Sequence, residues 1–416
     1  MRTPTGVIIF IAILLAIDTY VYSVIRALSS TATPKTRLLV TVIYWSVTAL
    51  TIAGFLLFVY TSPEFMGKKA RTYIFSVIIG LFLAKVTASV FFLLDDIRRL
   101  IQWGVGKLYF ANTEGDTISQ DGISRSVFLS WLGMAAGSSL FGTLLYGFRN
   151  QYNYQVTRIK LKFPNLPEGF RGLRIVQISD IHSGTFMNQH AVEKGIEKIL
   201  DQKADLILFT GDLVNDKALE MKEYKAMFSR LKAPMGVYSV LGNHDYGDYM
   251  QWPQDGLTKS QNLEKLKTLQ TEMGWRLLMN EHVILKRGGD AIALLGIENW
   301  GAKARFPKYG KMELAYPGTE KYYFKILMSH DPSHWDAQVR PEYPDIDLML
   351  SGHTHGMQFG VDIPGFKWSP VQYVYKQWAG LYEEGNQKLY VNRGFGCIGY
   401  PGRVGILPEI TVIELE

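Results

Sequence analysis

Cysteine is nearly absent: the 416 residues hold one, Cys397. A single thiol excludes an intrachain disulfide and any zinc site built from paired cysteines. A lysine/arginine-rich block and any recognisable nucleic-acid module are also missing, so nucleic acid is not an expected partner. The formal net charge of +6 is small for this length, and it fits basic residues beside a membrane or an anionic substrate. Long apolar runs are lacking too, but only after about residue 150. Before that point they dominate, so the 47% hydrophobic content is unevenly spread. Two units are therefore expected, 1–150 and 151–416.

A helix that crosses a bilayer needs about 20 mostly apolar residues. Four stretches meet that length, at roughly 7–24, 38–60, 73–94 and 127–148. The first is too long, and too weakly marked at its end, for a cleavable leader. Asp18 and Lys85 interrupt the runs. Intramembrane charges are functional candidates by default, yet these two can pair within a bundle, and an anchor is the simpler reading. Basic residues divide almost evenly between the two faces. Arg26, Lys35, Arg37, Arg98 and Arg99 lie on one side, and Arg2, Lys68, Lys69, Arg71 and Arg149 on the other. Ser124-Arg125-Ser126, ahead of the last apolar run, resembles a twin-arginine export signal in which the second arginine has become serine. That favours an extracytoplasmic second unit in the cell membrane.

From about Tyr154 onward one arrangement recurs: a short β-rich run ends in a loop that opens with Asp, His or Asn. RIVQIS at 174–179 leads to Asp180 and His182, and LILFT at 206–210 leads to Gly211-Asp212. GVYSVL at 236–241 leads to Gly242-Asn243-His244-Asp245. FKILM at 324–328 leads to His330, and IDLML at 346–350 leads to Gly352-His353-Thr354-His355. Apolar runs of this length, bounded by glycine and polar residues, predict central strands. The segments 190–202 and 219–231 carry apolar residues at helical spacing, so helices should cover a mixed sheet. Ligands bind at the carboxyl ends of strands in such folds, and every motif above falls at such an end.

A phosphate ester resists attack because its anionic oxygens repel a nucleophile. Two cations about 3.5–4 Å apart clamp those oxygens and turn a bridging water into hydroxide. Carboxylate and imidazole are the ligands that chemistry requires, and Mn, Fe and Zn all accept them. Two dications held by two carboxylates and otherwise neutral groups leave a net positive site suited to phosphate.

Taken in order, Asp180-x-His182, Gly211-Asp212, Gly242-Asn243-His244-Asp245, His330 and Gly352-His353-Thr354-His355 resemble the motifs of calcineurin-like metallophosphoesterases, over roughly residues 170–416. The resemblance implies a four-layer α/β/β/α domain behind a bundle of about four transmembrane helices. It implies two divalent metal ions, one held by Asp180, His182, Asp212 and His355, the other by Asp212, Asn243, His330 and His353. His244 would contact the phosphate and protonate the leaving oxygen, and Asp245 would orient His244. Within the family the likeness is to a membrane-associated subgroup that includes UDP-2,3-diacylglucosamine pyrophosphatases and exported phosphodiesterases. The closing segment 389–408 fits that subgroup, but Met357 stands where a glycine is usual and is expected to narrow the mouth of the site.

Two readings follow. One is a hydrolase of a phosphodiester, pyrophosphate or phosphomonoester, its substrate a phosphorylated small molecule or lipid. The other is a metal-binding membrane receptor or scaffold that no longer turns over substrate. His244 discriminates, since a binding module needs no acid beside a leaving group. Arg393 and Arg403 could hold a substrate phosphate bidentately or serve in structural ion pairs. Phe366, Trp368, Tyr373, Tyr375 and Trp378 could meet lipid or pack in a core. Lys303, Arg305, Lys308 and Lys311 form a basic loop, and His190, His282 and His334 lie outside the pattern.

Overall fold

The four apolar stretches of the sequence all form helices. The computed structural model describes residues 4–61, 63–109, 125–253, 256–303 and 306–416; Arg2, Ser124 and Arg305 fall outside these. The chain divides into two compact units, Met1–Tyr146 and Gly147–Glu416. In the first, α1 (Pro4–Leu28), α2 (Pro34–Tyr60), the single turn α3 (Pro63–Met66), α4 (Lys68–Tyr109) and α5 (Arg125–Gly147) follow one another. The four long ones are long and apolar enough to cross a membrane. Thr33 caps α2, its hydroxyl accepting the Thr36 N–H at 3.3 Å, with Pro34 in the first turn where its missing N–H costs nothing. Leu38, Leu39 and Leu50 of α2 point outward, as suits a hydrocarbon solvent. α4 runs well past the apolar stretch that ends at residue 94. The charges that close that stretch support the helix, because Arg98 pairs with Asp95 and Arg99 with Asp96 one turn apart.

Asp18 and Lys85 do meet. Lys85 Nζ pairs with Asp18 Oδ1, the Thr48 hydroxyl donates to Oδ2 at 2.8 Å, and the Tyr44 hydroxyl donates to the Asp18 main-chain carbonyl at 2.9 Å. Asp18 lies ten residues before the end of α1, and Tyr44 ten after the start of α2. At 1.5 Å per residue both sit about 15 Å from the α1–α2 turn, near the middle of a hydrocarbon core of about 30 Å. A charge there is costly unless paired, so this cluster fixes the register of α1, α2 and α4. Lys85→Met, which strands the carboxylate, should lower the thermal midpoint of the detergent-solubilised chain by more than the double change Asp18→Asn/Lys85→Met. Loss of one partner from a buried pair typically costs about 3–5 kcal/mol. Equal midpoints for the two variants would contradict the pairing.

The second unit contains two six-stranded sheets. The first comprises β1 (Gln155–Leu161), β2 (Arg174–Ile178), β3 (Leu206–Phe209), β4 (Val237–Ser239), β5 (Arg276–Leu277) and β14 (Glu409–Leu415), in the order β1-β14-β2-β3-β4-β5. The second comprises β6 (Glu281–Arg287), β7 (Asp290–Gly296), β8 (Lys325–Met328), β9 (Leu348–Ser351), β12 (Gly380–Glu384) and β13 (Gln387–Val391), in the order β12-β13-β9-β8-β7-β6. A small hairpin pairs β10 (Val361–Ile363) with β11 (Phe366–Trp368).

Strand alternation builds the layers, since successive side chains point to opposite faces. Ile175, Leu206 and Leu208 of the first sheet share one cluster with Ile326, Met328, Leu348 and Leu350 of the second. Their neighbours Val176, Ile207 and Phe209 turn the other way, onto Val192, Ile196 and Ile199 of α6 (Gln189–Leu200) and Leu266 of α8 (Lys259–Glu272). On the far face Leu327 and Met349 pack with Trp335 and Val339. This is the four-layer α/β/β/α arrangement. The helix expected over 219–231 is instead a 3₁₀ turn, Ala218–Met221, and the one-turn α7, Lys225–Phe228. The Glu220 carboxylate takes the N–H groups of Asn215, Asp216 and Lys217 at 2.6–3.2 Å, which ties the chain into a turn. The apolar spacing is still used: Met221, Tyr224, Phe228 and Leu231 are all buried.

Candidate metal centre

Loops after β2, β3 and β4, parallel neighbours in one sheet, carry Asp180, His182, Asp212 and Asn243. Loops after β8 and β9, parallel neighbours in the other, carry His330, His353 and His355. The backbone turns sharply at these strand ends. Asp180, His182, Asp212, His353 and His355 all have φ between 45° and 72°, a left-handed conformation that side chains with a Cβ seldom adopt. Met357 shares it, at φ 54°. Its side chain is largely exposed and adds bulk beside the His355 loop. Gly211 has no alternative, because a Cβ there would lie 2.6 Å from Gly242 N and 2.8 Å from His330 Nδ1.

The seven expected ligands converge in two groups. His182 Nε2 lies 3.0 Å from His355 Nε2, which in turn is 3.2 Å from Asp180 Oδ1. Asn243 Oδ1 lies 2.8 Å from His353 Nδ1. Asp212 joins them, its Oδ2 standing 3.5 Å from His182 Nε2 and 3.2 Å from His330 Nε2. Asp180, His182 and His355, and separately Asp180, Asp212 and His330, have the spacing to hold an ion. His330 supplies a test of fit. Its Nδ1 donates to the Thr210 carbonyl at 2.7 Å, whereas its Nε2 is buried with no hydrogen-bond partner. An imidazole fixed in this way would direct its Nε2 lone pair at the centre once that nitrogen, which faces Asp212 Oδ2, has lost its proton, as a metal ligand requires. Carboxylate, amide oxygen and imidazole together suit divalent transition ions.

Outer contacts hold the ligands in place, and several were not readable in advance. His353 Nε2 lies 2.8 Å from the Tyr375 hydroxyl, which is 3.4 Å from Asp331 Oδ2. Tyr375 thus supports a candidate ligand through its hydroxyl while its ring packs with Trp378 and Ile406. Asn243 Nδ2 donates to the Tyr249 hydroxyl at 2.9 Å, which turns its Oδ1 towards the site. Both Asp180 oxygens accept the His353 N–H at 3.0 Å, and Asp212 Oδ1 accepts the His244 N–H at 2.8 Å.

Two expectations need correcting. Asp245 does not orient the His244 ring. Its carboxylate accepts the backbone N–H groups of Asp212, Leu213, Val214 and Gly242 at 2.8–3.3 Å, so it ties the Asp212 loop to the Asn243 loop. The contact to His244 Nδ1 comes from the Asn215 carbonyl at 2.8 Å. Both arginines are instead engaged by protein groups. Arg393 is paired with Asp362 and Glu409. Arg403 is fully buried and donates to the carbonyls of His355, Arg393, Gly394 and Gly396. A planar fork of donors serves carbonyls and carboxylates as well as phosphate, and sequence alone does not distinguish them. The remaining histidines stay outside the site. His190 is exposed, His282 Nδ1 contacts the Ala315 carbonyl, and His334 is buried between Ser329 and Gln338. Lys308 of the basic loop lies over the Trp300 ring, 4.1 Å from its centroid.

Burial alone would raise the Asp180 and Asp212 carboxyls, but the facing imidazoles of His355 and His330 outweigh it and hold both below the usual carboxylate range. Burial pushes His182, His353 and His355 down, towards the neutral form a metal needs. His330 goes the other way: burial would lower it, yet the Asp212 carboxylate raises it to about 10. Without metal, the stability from this pair is fully present below the unfolded value of about 6.5 and is lost as pH rises through about 10. Near neutral pH an ion bound through His330 would therefore have to displace its proton. Calorimetric titration of the detergent-solubilised chain with Mn²⁺, in buffers of different ionisation enthalpy, should show proton release and an affinity that rises with pH. Binding with no proton release would contradict this electrostatic picture.

With fold and site described, comparison gives the class: the chain belongs to the calcineurin-like metallophosphoesterase family. Residues 173–357 match the family described as calcineurin-like phosphoesterase, and residues 1–151 match its probable transmembrane domain. The uncharacterized metallophosphoesterase YkuE of Bacillus subtilis is 30% identical over 309 residues, covering 71% of this chain and 98% of that one. Phosphodiesterase YaeI of Escherichia coli is 28% identical, covering 70% of this chain and 99% of that one. The UDP-2,3-diacylglucosamine pyrophosphatase LpxG of Chlamydia trachomatis is 28% identical, covering 58% and 83% respectively. The protein is a membrane metallophosphoesterase.

Proposed function

We propose that the protein hydrolyses a phosphodiester or pyrophosphate bond, or a phosphomonoester, of a lipid-linked substrate, using two divalent ions such as Mn, Fe or Zn. The observation that carries this reading is the position of Asp212 Oδ2 between His182 and His330, which suits one carboxylate shared by two ions. When bound, the ions neutralise the ester oxygens and make water nucleophilic near neutral pH. Asp180, His182, Asp212 and His355 would hold one, and Asp212, Asn243, His330 and His353 the other. His244 sits beside them, its ring centroid 5.0 Å from that of His182. With Nδ1 held by the Asn215 carbonyl, its Nε2 delivers the proton to the leaving oxygen. A silent receptor would have no use for that group, and this favours the enzyme. A lipid-linked substrate accords with the membrane helices and with the similarity to the UDP-2,3-diacylglucosamine pyrophosphatase LpxG. We further infer an extracytoplasmic catalytic unit from the arginine motif at Arg125; protease treatment of intact cells should cleave it, and complete protection would reverse the orientation.

His244→Ala should retain its metals and lose activity towards bis-p-nitrophenyl phosphate by about 10²–10⁴-fold, the usual contribution of a general acid. Equal rates for variant and parent would remove His244 from the mechanism. For Asp212→Asn, metal analysis should find less than the parent's content. Unchanged content together with unchanged activity would eliminate the shared ligand.

A further inference from the structure

Hairpin tips exposed to water are normally polar, because turn residues are chosen for backbone geometry and solvation. The β10–β11 hairpin breaks that pattern. Its last cross-strand pair is Ile363 with Phe366, joined by Pro364-Gly365, so its tip carries no charge. Ile363 is 57% exposed and Phe366 55%. Tyr373 and Val374 follow, also exposed. Seven of the eleven exposed large apolar side chains described in the second unit fall within the 25 residues 357–381. Scattered apolar residues need no explanation, but a concentration of this kind marks an interaction surface.

Both ends of this segment are bonded to the ligand loop. Tyr375 contacts His353, the Thr354 hydroxyl donates to the Trp378 carbonyl at 2.6 Å, and the Ser369 hydroxyl donates to the Gly356 carbonyl at 2.8 Å. The root of the hairpin is also joined, within the second unit, to that unit's first residue, Gly147. Gly360 N–H donates to the Val404 carbonyl at 2.9 Å, and the adjacent Arg403 N–H donates to the Gly147 carbonyl at 3.0 Å. Gly147 is the final residue of α5. An apolar tip rooted beside that residue, in a chain that carries its own membrane helices, has one fitting occupant.

We propose that the Ile363–Phe366 tip, with Tyr373 and Val374, enters the interface of the bilayer in which the chain is anchored, and that phosphate esters embedded in that bilayer reach the ligand loop from there. Aliphatic and aromatic side chains are the residues that favour such an interface. Lys376, exposed and 3.9 Å from Asp336, lies next to Tyr375, where an anionic headgroup would also complement it. The choice of substrate rests on the phosphoesterase reading above; the membrane contact does not.

The test uses the full chain in vesicles of phosphatidylcholine and phosphatidylglycerol. Spin labels are attached at Phe366→Cys or, as a control, at Leu314→Cys, which is exposed elsewhere in the same unit; Cys397 is buried and should not react. At 366 the label should be more accessible to oxygen than to a polar nickel chelate, and at 314 the reverse. Preference for nickel at 366 would overturn the contact, and protection from both reagents would mean that protein, such as a second copy, covers the tip. In a parallel assay Ile363→Ser/Phe366→Ser should slow hydrolysis of a vesicle-borne phospholipid ester by about tenfold, on the order of the burial energy of one apolar side chain. Its rate on soluble bis-p-nitrophenyl phosphate should be unchanged. An equal fall on both substrates would reduce the tip to a structural role. If neither variant nor parent hydrolysed anything, the phosphoesterase reading would fail while the label data still judged the contact.

Discussion

One carboxylate oxygen must stand between imidazoles that come from different sheets: Asp212 Oδ2 faces His182, after β2, and His330, after β8. That requirement constrains the whole second unit. The two sheets have to pack with the carboxyl ends of β2, β3 and β4 beside those of β8 and β9, and the cluster containing Ile175, Leu208, Ile326 and Leu350 fixes that alignment. A shift of one residue in any of these strands would exchange its core and outer faces and move the ligands apart. The apolar interior therefore serves as the positioning device for the polar centre.

Tight backbone geometry does the remaining alignment. Seven of the nine non-glycine residues with positive φ among the described ones belong to the site's loops: Asp180, His182, Asp212, His353, His355, Met357 and Gln358. Each costs of order 1–3 kcal/mol and persists only where the surroundings determine it. Asp245 is one such determinant, since its carboxylate gathers four amide groups from two ligand loops. Arg403 is another, gathering carbonyls around His355 and Gly394. Two buried charged groups thus act on main chain rather than on substrate.

This explains what was legible in the sequence. The strand-then-loop rhythm made the sheets, the order of the ligands and their position at strand ends readable, because apolar periodicity and metal-binding residue types are both written in side chains. The four apolar helices were readable for the same reason. The roles of Asp245, Arg403 and Asn215 were not, because each contact is made to or by a backbone group that every residue possesses. Tyr375 was read among aromatics and belongs to His353 through one hydroxyl contact, which no spacing rule anticipates. The 219–231 segment kept its buried face yet lost its continuous helix, its amides closing short turns such as Lys222 N–H to the Leu219 carbonyl and Tyr224 N–H to the Met221 carbonyl.

The first sheet has an order with a temporal consequence. β14 lies between β1 and β2, parallel to the one and antiparallel to the other. Of the fourteen strands among the described residues it is the last translated, and β1, the first, has no other described partner in its sheet. While the ribosome works through some 250 residues between them, β1 must wait with its pairing edge open. Closure of such a distant contact is slow, and unpaired edges invite aggregation. Biogenesis of the protein thus has a vulnerable interval, which begins after the last apolar helix has been made and ends only when the final strand emerges.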